Sequence, residues 1–569
     1  MALAAFSLAA CRRQAVAPAD LVLKNGSVYT VDNALPRATA IAIRDGKFIY
    51  VGDDAGGAKF IGHGTQVLDL GGKLVLPGFV ESHGHAISAY KQFFEINLND
   101  CQNAGDYGKV IREYALAHPG AKFIRGRGWS NTLFGKTGPD RKTIDDIVRG
   151  IPVCLASEDG HSKWVNSRAL ELAGITKATP DPVNGVIERD PRTGEPTGTL
   201  RESAAALVAG LFPEPGKEEL KKGLEAFQRM ALAFGITTVH DAYLDAESIE
   251  TDAYRELENA GRLQARFRAS LYVDPLKGTG QLAAIEHERL RNRGPLFQTN
   301  AVKLFADGVV EGSTAYLLEP YQHLPRSRGT LRWESGALAG MCAELDRRKF
   351  QVHVHAIGDA AVRAFLDAFA HAEKVNGRRD SRNMITHLQL VAPADIPRFK
   401  ALGVIAVPQP YWFMKDDYYT NLQVPYLGQE RADLEYPMAS FFRAGVVVAS
   451  ASDYPVTIPC NPLKAIQVGM TRSEPGKTAP GDVLWPEERA TLEQMIASFT
   501  INGAYANFLE DSTGSISVGK SADLIVLDRD LFKIPATEIA GAKVLLTLFE
   551  GKAAFTDPSF PSSGPPAER

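Results

Sequence analysis

Eight strand-like runs alternate with helical patterns through the middle of this chain, and that alternation constrains the fold more than any other feature. The runs are LVLPGFVESH (74–83), GITTVHDA (235–242), FRASLYV (267–273), AVKLFADG (301–308), QVHVHAIG (351–358), MITHLQL (384–390), GVIAVPQP (403–410) and GVVVASASD (445–453). Helical segments lie between most pairs. KEELKKGLEAFQRMALAFG and DAAVRAFLDAFAHAEKV, for example, carry apolar residues at helical spacing. Eight strands in βα alternation imply an α/β fold, a closed parallel (β/α)8 TIM barrel. The interval between the first two runs is too long for one crossover. Residues from about 86 to 230 are therefore expected to form an inserted subdomain after barrel strand 1.

Strand patterns of another kind flank this middle. LVLKNGSVYTVD, AIAIRDGKFIYVGD and TQVLDLGGKLVLPGF precede it, with Asn25-Gly26 and Asp45-Gly46 read as hairpin turns. GSISVGKSADLIVLDRD and AKVLLTLFEGKAAF follow it. One small β domain built from both termini is expected at 20–73 and 512–556, with the barrel at 74–511. The tail from Asp557 to Arg569 is rich in Pro and Ser and reads as disordered.

The net charge of −4, with no Lys/Arg-rich run, leaves nucleic-acid binding without an electrostatic footprint. No stretch of 18 apolar residues exists to span a membrane. The five cysteines are odd in number and far apart, against both a disulfide framework and a thiolate zinc site. Cys154, inside PVCLA, reads as a buried small hydrophobe. Residues 1–19 read as a leader. Leu8-Ala9-Ala10-Cys11 is similar to the end of a bacterial lipoprotein signal, although a charged n-region is missing. Export to the periplasm with a lipid anchor at Cys11 is the expectation, a cytoplasmic protein the alternative.

Functional residues of such a barrel sit at the C-terminal ends of its strands. Strand 1 ends in His83-Gly84-His85, strand 5 in His355 and strand 8 in Asp453, and strand 6 carries His387. Alternation puts His83 and His85 on one face, and imidazole and carboxylate are ligands of zinc and related ions. One HxH alone is more often a satisfied pair. Ligand-type residues at the ends of four different strands point to a metal centre. Lys303 shares a face with Phe305 and Asp307. Pointing into an apolar barrel, it would favour a neutral or carbamylated form; the alternative is a lysine snorkelling to the rim. His353 reads as a core or outer-layer residue, and His240 as a supporting one. His63, His118, His287, His323 and His371 read as surface residues. YWFMKDDYY (411–419), with Tyr411 and Trp412, is expected to wall a substrate pocket, and Trp129 and Trp164 to add to it.

PGFVESHGH (77–85), EDGHSKWVNSRAL (158–170), GTLRESA (198–204), VKLFADG (302–308), HVHAIGD (353–359), THLQL (386–390), ASDYPV (451–456) and GSISVGKSADLIVLD (514–528) run in order along nearly the whole chain. Together they resemble the amidohydrolase superfamily, in the branch of YtcJ-like and AepA-like hydrolases that includes N-substituted formamide deformylases. The resemblance implies the barrel, a flanking β-sandwich and a mono- or binuclear site. It also implies that Lys303 is a carboxylated bridging ligand and that His161 faces the active site and contacts substrate. A loop-stabilising histidine is the alternative for His161. After Asp307 this chain has VVEGSTAYLLEPY where family members often carry a Ser-Leu-Gly-Ser-Arg-like run, so it departs from the family near strand 4.

The chemistry expected is hydrolysis of an amide, N-acyl or N-formyl C–N bond in a small molecule by a water activated on one or two Zn2+ or other divalent ions. Asp453 is expected to shuttle the proton and to be a weak ligand; the alternative is that it caps the following loop. Hydrolysis of a lactone, carbamate or cyclic amide, or deamination of a heterocycle, would use the same parts. A catalytically silent exported binding lipoprotein is the non-enzyme alternative.

Overall fold

The structure, a computed structural model, describes residues 17–560 except 100, 102, 131–132, 135–136, 158–161 and 184. Cys11 and His161 therefore lie outside the described residues. The chain divides into two compact units, Met1–His85 with Gln228–Arg569, and Ala86–Phe227.

The larger unit holds a nearly closed barrel of seven parallel strands, a TIM-like α/β fold: β1 (Phe79–Gly84), β2 (Ile236–Leu244), β3 (Arg266–Tyr272), β4 (Phe297–Phe305), β5 (Gln351–Ala356), β6 (Met384–His387) and β7 (Ile405–Val407). Neighbours in sequence pair in parallel throughout. The connecting helices follow from local pattern. Asp359–Asn376 buries Val362, Phe365, Leu366, Phe369 and Ala372 along one stripe. Ile249–Asn259 is capped by the Ser248 side chain, with Glu250 and Asp252 in its first turn.

The run at 445–453, expected as an eighth strand, is not one. It meets β7 through a single bridge, Ala406 to Val448. Pro408 and Pro410 follow β7 at once, and without N–H groups they cannot extend a ladder. The ring closes through separate bonds instead: Ala449 N to Ala406 O (2.9 Å), Ala451 N to Pro408 O (3.1 Å) and, on the far side, Asp453 N to His83 O (2.8 Å).

The expected first strand, 74–83, is two strands. Leu74–Pro77 belongs to a six-stranded sheet with Val544–Phe549 and Leu524–Leu527, and the barrel begins only at Phe79. Gly78 is the joint: its N–H bonds Asp523 O, whereas Phe79 N bonds Gly235 O. A Cβ at Gly78 would lie 2.4 Å from Thr237 Oγ1, so the backbone passes too close for a side chain. A four-stranded sheet (Lys47–Gly52, Ala40–Arg44, Leu21–Lys24, Gln66–Asp69) shares one apolar core with the six-stranded sheet, including Leu23, Ile41, Val75, Leu524 and Leu546. Asp45-Gly46 is a hairpin turn, with φ of 51° and 73°. Asn25-Gly26 is not, because Leu21–Lys24 and Ser27–Tyr29 lie in different sheets. Residues 557–560, expected to be tail, are described, and Phe560 is buried in this same core.

The unit Ala86–Phe227 has its own six-stranded sheet and its own core. Trp129 and Trp164 are fully buried in that core among Tyr107, Ile111, Ile144 and Leu155. Their indole N–H groups donate to Leu155 O (2.8 Å) and Asp140 O (3.2 Å). Both were expected on a pocket wall and are packing residues instead; an aromatic side chain is equally suited to either place. Trp129→Ala is expected to destabilise the protein by about 3–5 kcal/mol in denaturant unfolding, with KM of the folded fraction unchanged. A raised KM at unchanged stability would restore the pocket-wall role.

Candidate metal centre and its cavity

The C-terminal end of the barrel opens into a cavity of about 580 Å³ lined by His83, His85, Lys303, His355, His387 and Asp453. Tyr411 and Trp412 line it too. The structure thus brings together the residues read from the strand ends.

Their placement has local causes. His83 is the last residue but one of β1, and His85 follows its end. His387 and Asp453 take left-handed backbone, with φ of 74° and 58°. Such non-glycine conformations cost on the order of 1–3 kcal/mol each and cluster at functional sites. Glu81, which sequence reasoning missed, clamps the seam. Its Oε1 accepts from His83 N (3.1 Å) and from Ser452 N (2.9 Å), so one carboxylate registers β1 against the segment bearing Asp453. Burial raises the Glu81 carboxyl to about 7 despite those two bonds.

His83 Nε2 lies 3.3 Å and His85 Nε2 3.2 Å from Asp453 Oδ1. One donor atom from each of the three residues falls within 4.8 Å of the other two. Asp453 Oδ1 is buried and makes no hydrogen bond of acceptable geometry among the described residues. Two imidazoles and an orphaned carboxylate oxygen at this spacing fit a divalent ion. Burial opposes charge on Asp453, but contact with His85 and the field of His387, His85 and Lys303 outweigh it and hold the carboxyl below its ordinary value.

His355 and His387 stand beside this group, with ring centroids 4.5 Å apart and His387 5.1 Å from the His83 ring. Outer bonds set their tautomers. The Gln409 amide donates to Thr386 Oγ1 (3.0 Å) and Val407 O (3.2 Å), so its oxygen faces His387 Nδ1 at 3.0 Å. That nitrogen must carry the proton, which leaves Nε2 as the lone-pair atom. His355 Nε2 lies 3.1 Å from the carbonyl of Gly308, so its lone pair is on Nδ1. Burial is the main cause lowering both rings, His355 to about 4.

Lys303 is buried, with Nζ 3.5 Å from His83 Nε2. It does not reach the rim. Burial drops its amine from 10.5 to about 7, with Asp453 opposing. The folded value lies below the unfolded one, so the penalty for burying the ammonium is full below about pH 7 and fades as pH rises toward 10.5. Lys303→Met is therefore expected to stabilise the metal-free protein by on the order of 3 kcal/mol near neutral pH and by little near pH 10. Urea unfolding of both proteins at the two pH values checks this; a gain independent of pH would contradict it.

The aromatic loop splits by role. Tyr411 is buried against the cavity, and its hydroxyl has no hydrogen-bond partner among the described residues. Trp412 lies parallel to the His387 ring at 5.8 Å and donates to Thr457 Oγ1 (2.9 Å). Met414, Asp416 and Tyr418 also line the cavity, while Phe413 turns away to stack on Tyr436. Asp307, which shares the β4 pattern with Lys303, instead accepts from Tyr316, Ile357 and Gly358 N–H groups and ties the loop after β4 to that after β5. His63, His118, His287, His323 and His371 are exposed. Cys154 is buried, its thiol pushed up to about 12. Among the described residues no helix is long and apolar enough to cross a membrane.

Comparison with known proteins agrees with this geometry. Protein LONG AFTER FAR-RED 3 of Arabidopsis thaliana is 32% identical over 547 residues, covering 94% of this chain and 92% of that protein. The N-substituted formamide deformylase of Arthrobacter pascens is 26% identical over 546 residues, 94% of this chain and 97% of the relative. The solved structure of an uncharacterized metal-dependent hydrolase from Pyrococcus horikoshii OT3 superposes with a TM-score of 0.73 at 25% identity, covering 91% of this chain and 99% of that one. The model of the amidohydrolase family matches residues 66–555, most of the sequence. With that match, the strand-end histidines and the barrel that carries them, the chain belongs to the amidohydrolase family.

Proposed function

We propose that this protein is a zinc-dependent hydrolase of a C–N bond, of N-acyl or N-formyl amide type, in a small molecule. The observation that carries the reading is the convergence of His83 Nε2, His85 Nε2 and the orphaned Asp453 Oδ1 in the cavity at the barrel mouth. Nitrogen and carboxylate donors suit zinc, and His355, His387 and Lys303 supply further donors. Such an ion acidifies water and polarises a carbonyl oxygen. Asp453 takes the proton of the attacking water on its carboxylate and delivers it to the leaving nitrogen. The apolar wall of Trp412, Met414, Val456 and Ile458 favours an uncharged substituent.

Lys303 extends the reading to a second ion. With its amine near 7, much of it is neutral at neutral pH, the form that adds CO2 with loss of a proton to give a carbamate. As a carbamate, Lys303 would help hold such an ion through its oxygens. The printed name of the Arthrobacter relative, a formamide deformylase, supports the choice of bond.

The test is a screen of the zinc-loaded protein against N-formyl, N-acyl and peptide-like amides, read by amine release. Zinc-dependent release from an N-formyl or N-acyl amide is expected. Turnover of lactones or carbamates with no amide cleaved would overturn the assignment of the bond.

A further inference from the structure

A file of buried polar groups runs from His83 away from the cavity, and the chemistry proposed above uses none of it beyond His83. His83 Nδ1 lies 2.7 Å from His353 Nε2. His353 Nδ1 lies 3.2 Å from His240 Nε2 and 3.4 Å from Ser270 Oγ. His240 Nε2 is 2.7 Å from Ser270 Oγ, and its Nδ1 is 2.7 Å from Asn507 Oδ1. All five residues are buried, and none but His83 lines the cavity.

A neutral imidazole has one N–H and one lone pair, so three in series can be polarised in either direction. Asn507 decides between them. Its Nδ2 donates to Gly503 O at 2.9 Å, which a carbonyl can only accept, and so its Oδ1 faces His240. His240 must then carry its proton on Nδ1, leaving an Nε2 lone pair that takes the Ser270 hydroxyl proton. With that proton committed, His353 Nδ1 faces only acceptors, His240 Nε2 and Ser270 Oγ. It must be an N–H, and His353 Nε2 is then the acceptor for His83 Nδ1–H.

We infer that Asn507, His240 and His353 are positioning residues that hold His83 in its Nδ1–H tautomer, with the Nε2 lone pair presented to the centre. Asn507 closes the helix Ile501–Ala506, so the choice is made from outside the barrel strands. The consequence for metal binding rests on the metallohydrolase reading; the tautomer assignment does not.

Without the Asn507 oxygen, the opposite polarity opens. His240 can then donate from Nε2 to Ser270, Ser270 to His353 Nδ1, and His353 from Nε2 to His83 Nδ1. That places a proton on His83 Nε2, where it competes with the ion. Asn507→Leu is expected to weaken zinc binding by about 10–100-fold in a competition titration, the range for partners of a metal-binding histidine. Asn507→Asp, which keeps an acceptor toward His240, is expected to retain wild-type zinc affinity. A packing role predicts the reverse order, because Leu is the gentler substitution in a buried site and Asp buries a charge. Equal zinc affinity in Asn507→Leu and wild type would overturn the inference.

Should both variants fail to fold, the metal-free wild type decides. Long-range ¹H–¹⁵N spectra of ¹⁵N-histidine protein are expected to show protonated Nδ1 at His83, His353 and His240. A protonated Nε2 at His83 or His353 would overturn the chain. If the wild type binds no stoichiometric zinc, the metal reading fails while these spectra still decide the tautomers.

Discussion

Asp453→Asn is expected to lower kcat by about 10²–10⁴-fold while the protein keeps most of its zinc. The substitution is close to isosteric, and Asn tolerates the left-handed backbone that Asp453 adopts. The amide has no carboxylate to take a proton, so the loss falls on turnover rather than on folding. Asp453 is suited to the task because, although burial opposes its charge, contact with His85 and its other neighbours hold its carboxyl below the ordinary value. The competing idea, that it caps the loop that follows, meets a structural objection. The bonds that hold this loop, among the described residues, include Val456 N to the Asp453 backbone carbonyl (2.8 Å), which any residue would supply, and His85 N to Tyr454 O (2.6 Å). Steady-state kinetics with metal content measured on the same sample separate the two. Turnover near wild type at full metal loading would remove Asp453 from the chemistry.

Stripping the metal with a chelator is expected to abolish amine release, and added zinc to restore it. His83→Ala is expected to lose activity that zinc does not restore, because one of three convergent donors is gone. The same variant leaves the buried His353 Nε2 without its partner, a stability cost of about 1–3 kcal/mol. Unfolding curves collected beside the assays separate this cost from the catalytic loss. Full activity in protein shown to be metal-free would overturn the proposed chemistry.

Most of the candidate donors were legible in the sequence because barrel strands carry functional side chains at their C-terminal ends, and His83, His85, His355 and Asp453 sit at or near the ends of their runs, while Lys303 was read from its inward face on its strand. Asp453 was found by that rule although its run is not a strand. Its aim into the cavity comes with a left-handed φ and a bond to His83, not from strand alternation. What stayed hidden depends on contacts distant in sequence. Trp129 and Trp164 have the composition of a pocket wall, and only the packing around them shows a core. In sequence Asn25-Gly26 resembles the hairpin pair Asp45-Gly46, but only Asn25 takes a positive φ, and its two flanks join different sheets. Glu81 stands two residues before His83, yet its partner Ser452 is 371 residues away. Asn507 is 267 residues from His240, and no local pattern marks it.

The incomplete eighth strand has a consequence for how the barrel breathes. Elsewhere neighbouring barrel strands are paired along parallel ladders. Between β7 and β1 it is fastened by a few separate bonds and the Glu81 carboxylate, each of which can part while its neighbours hold. The joint lies beside Asp453. A widening of the ring is expected to fall at this joint and so to move Asp453, while His355 and His387 stay on paired strands. The hoop has a clasp, and Asp453 is mounted on it.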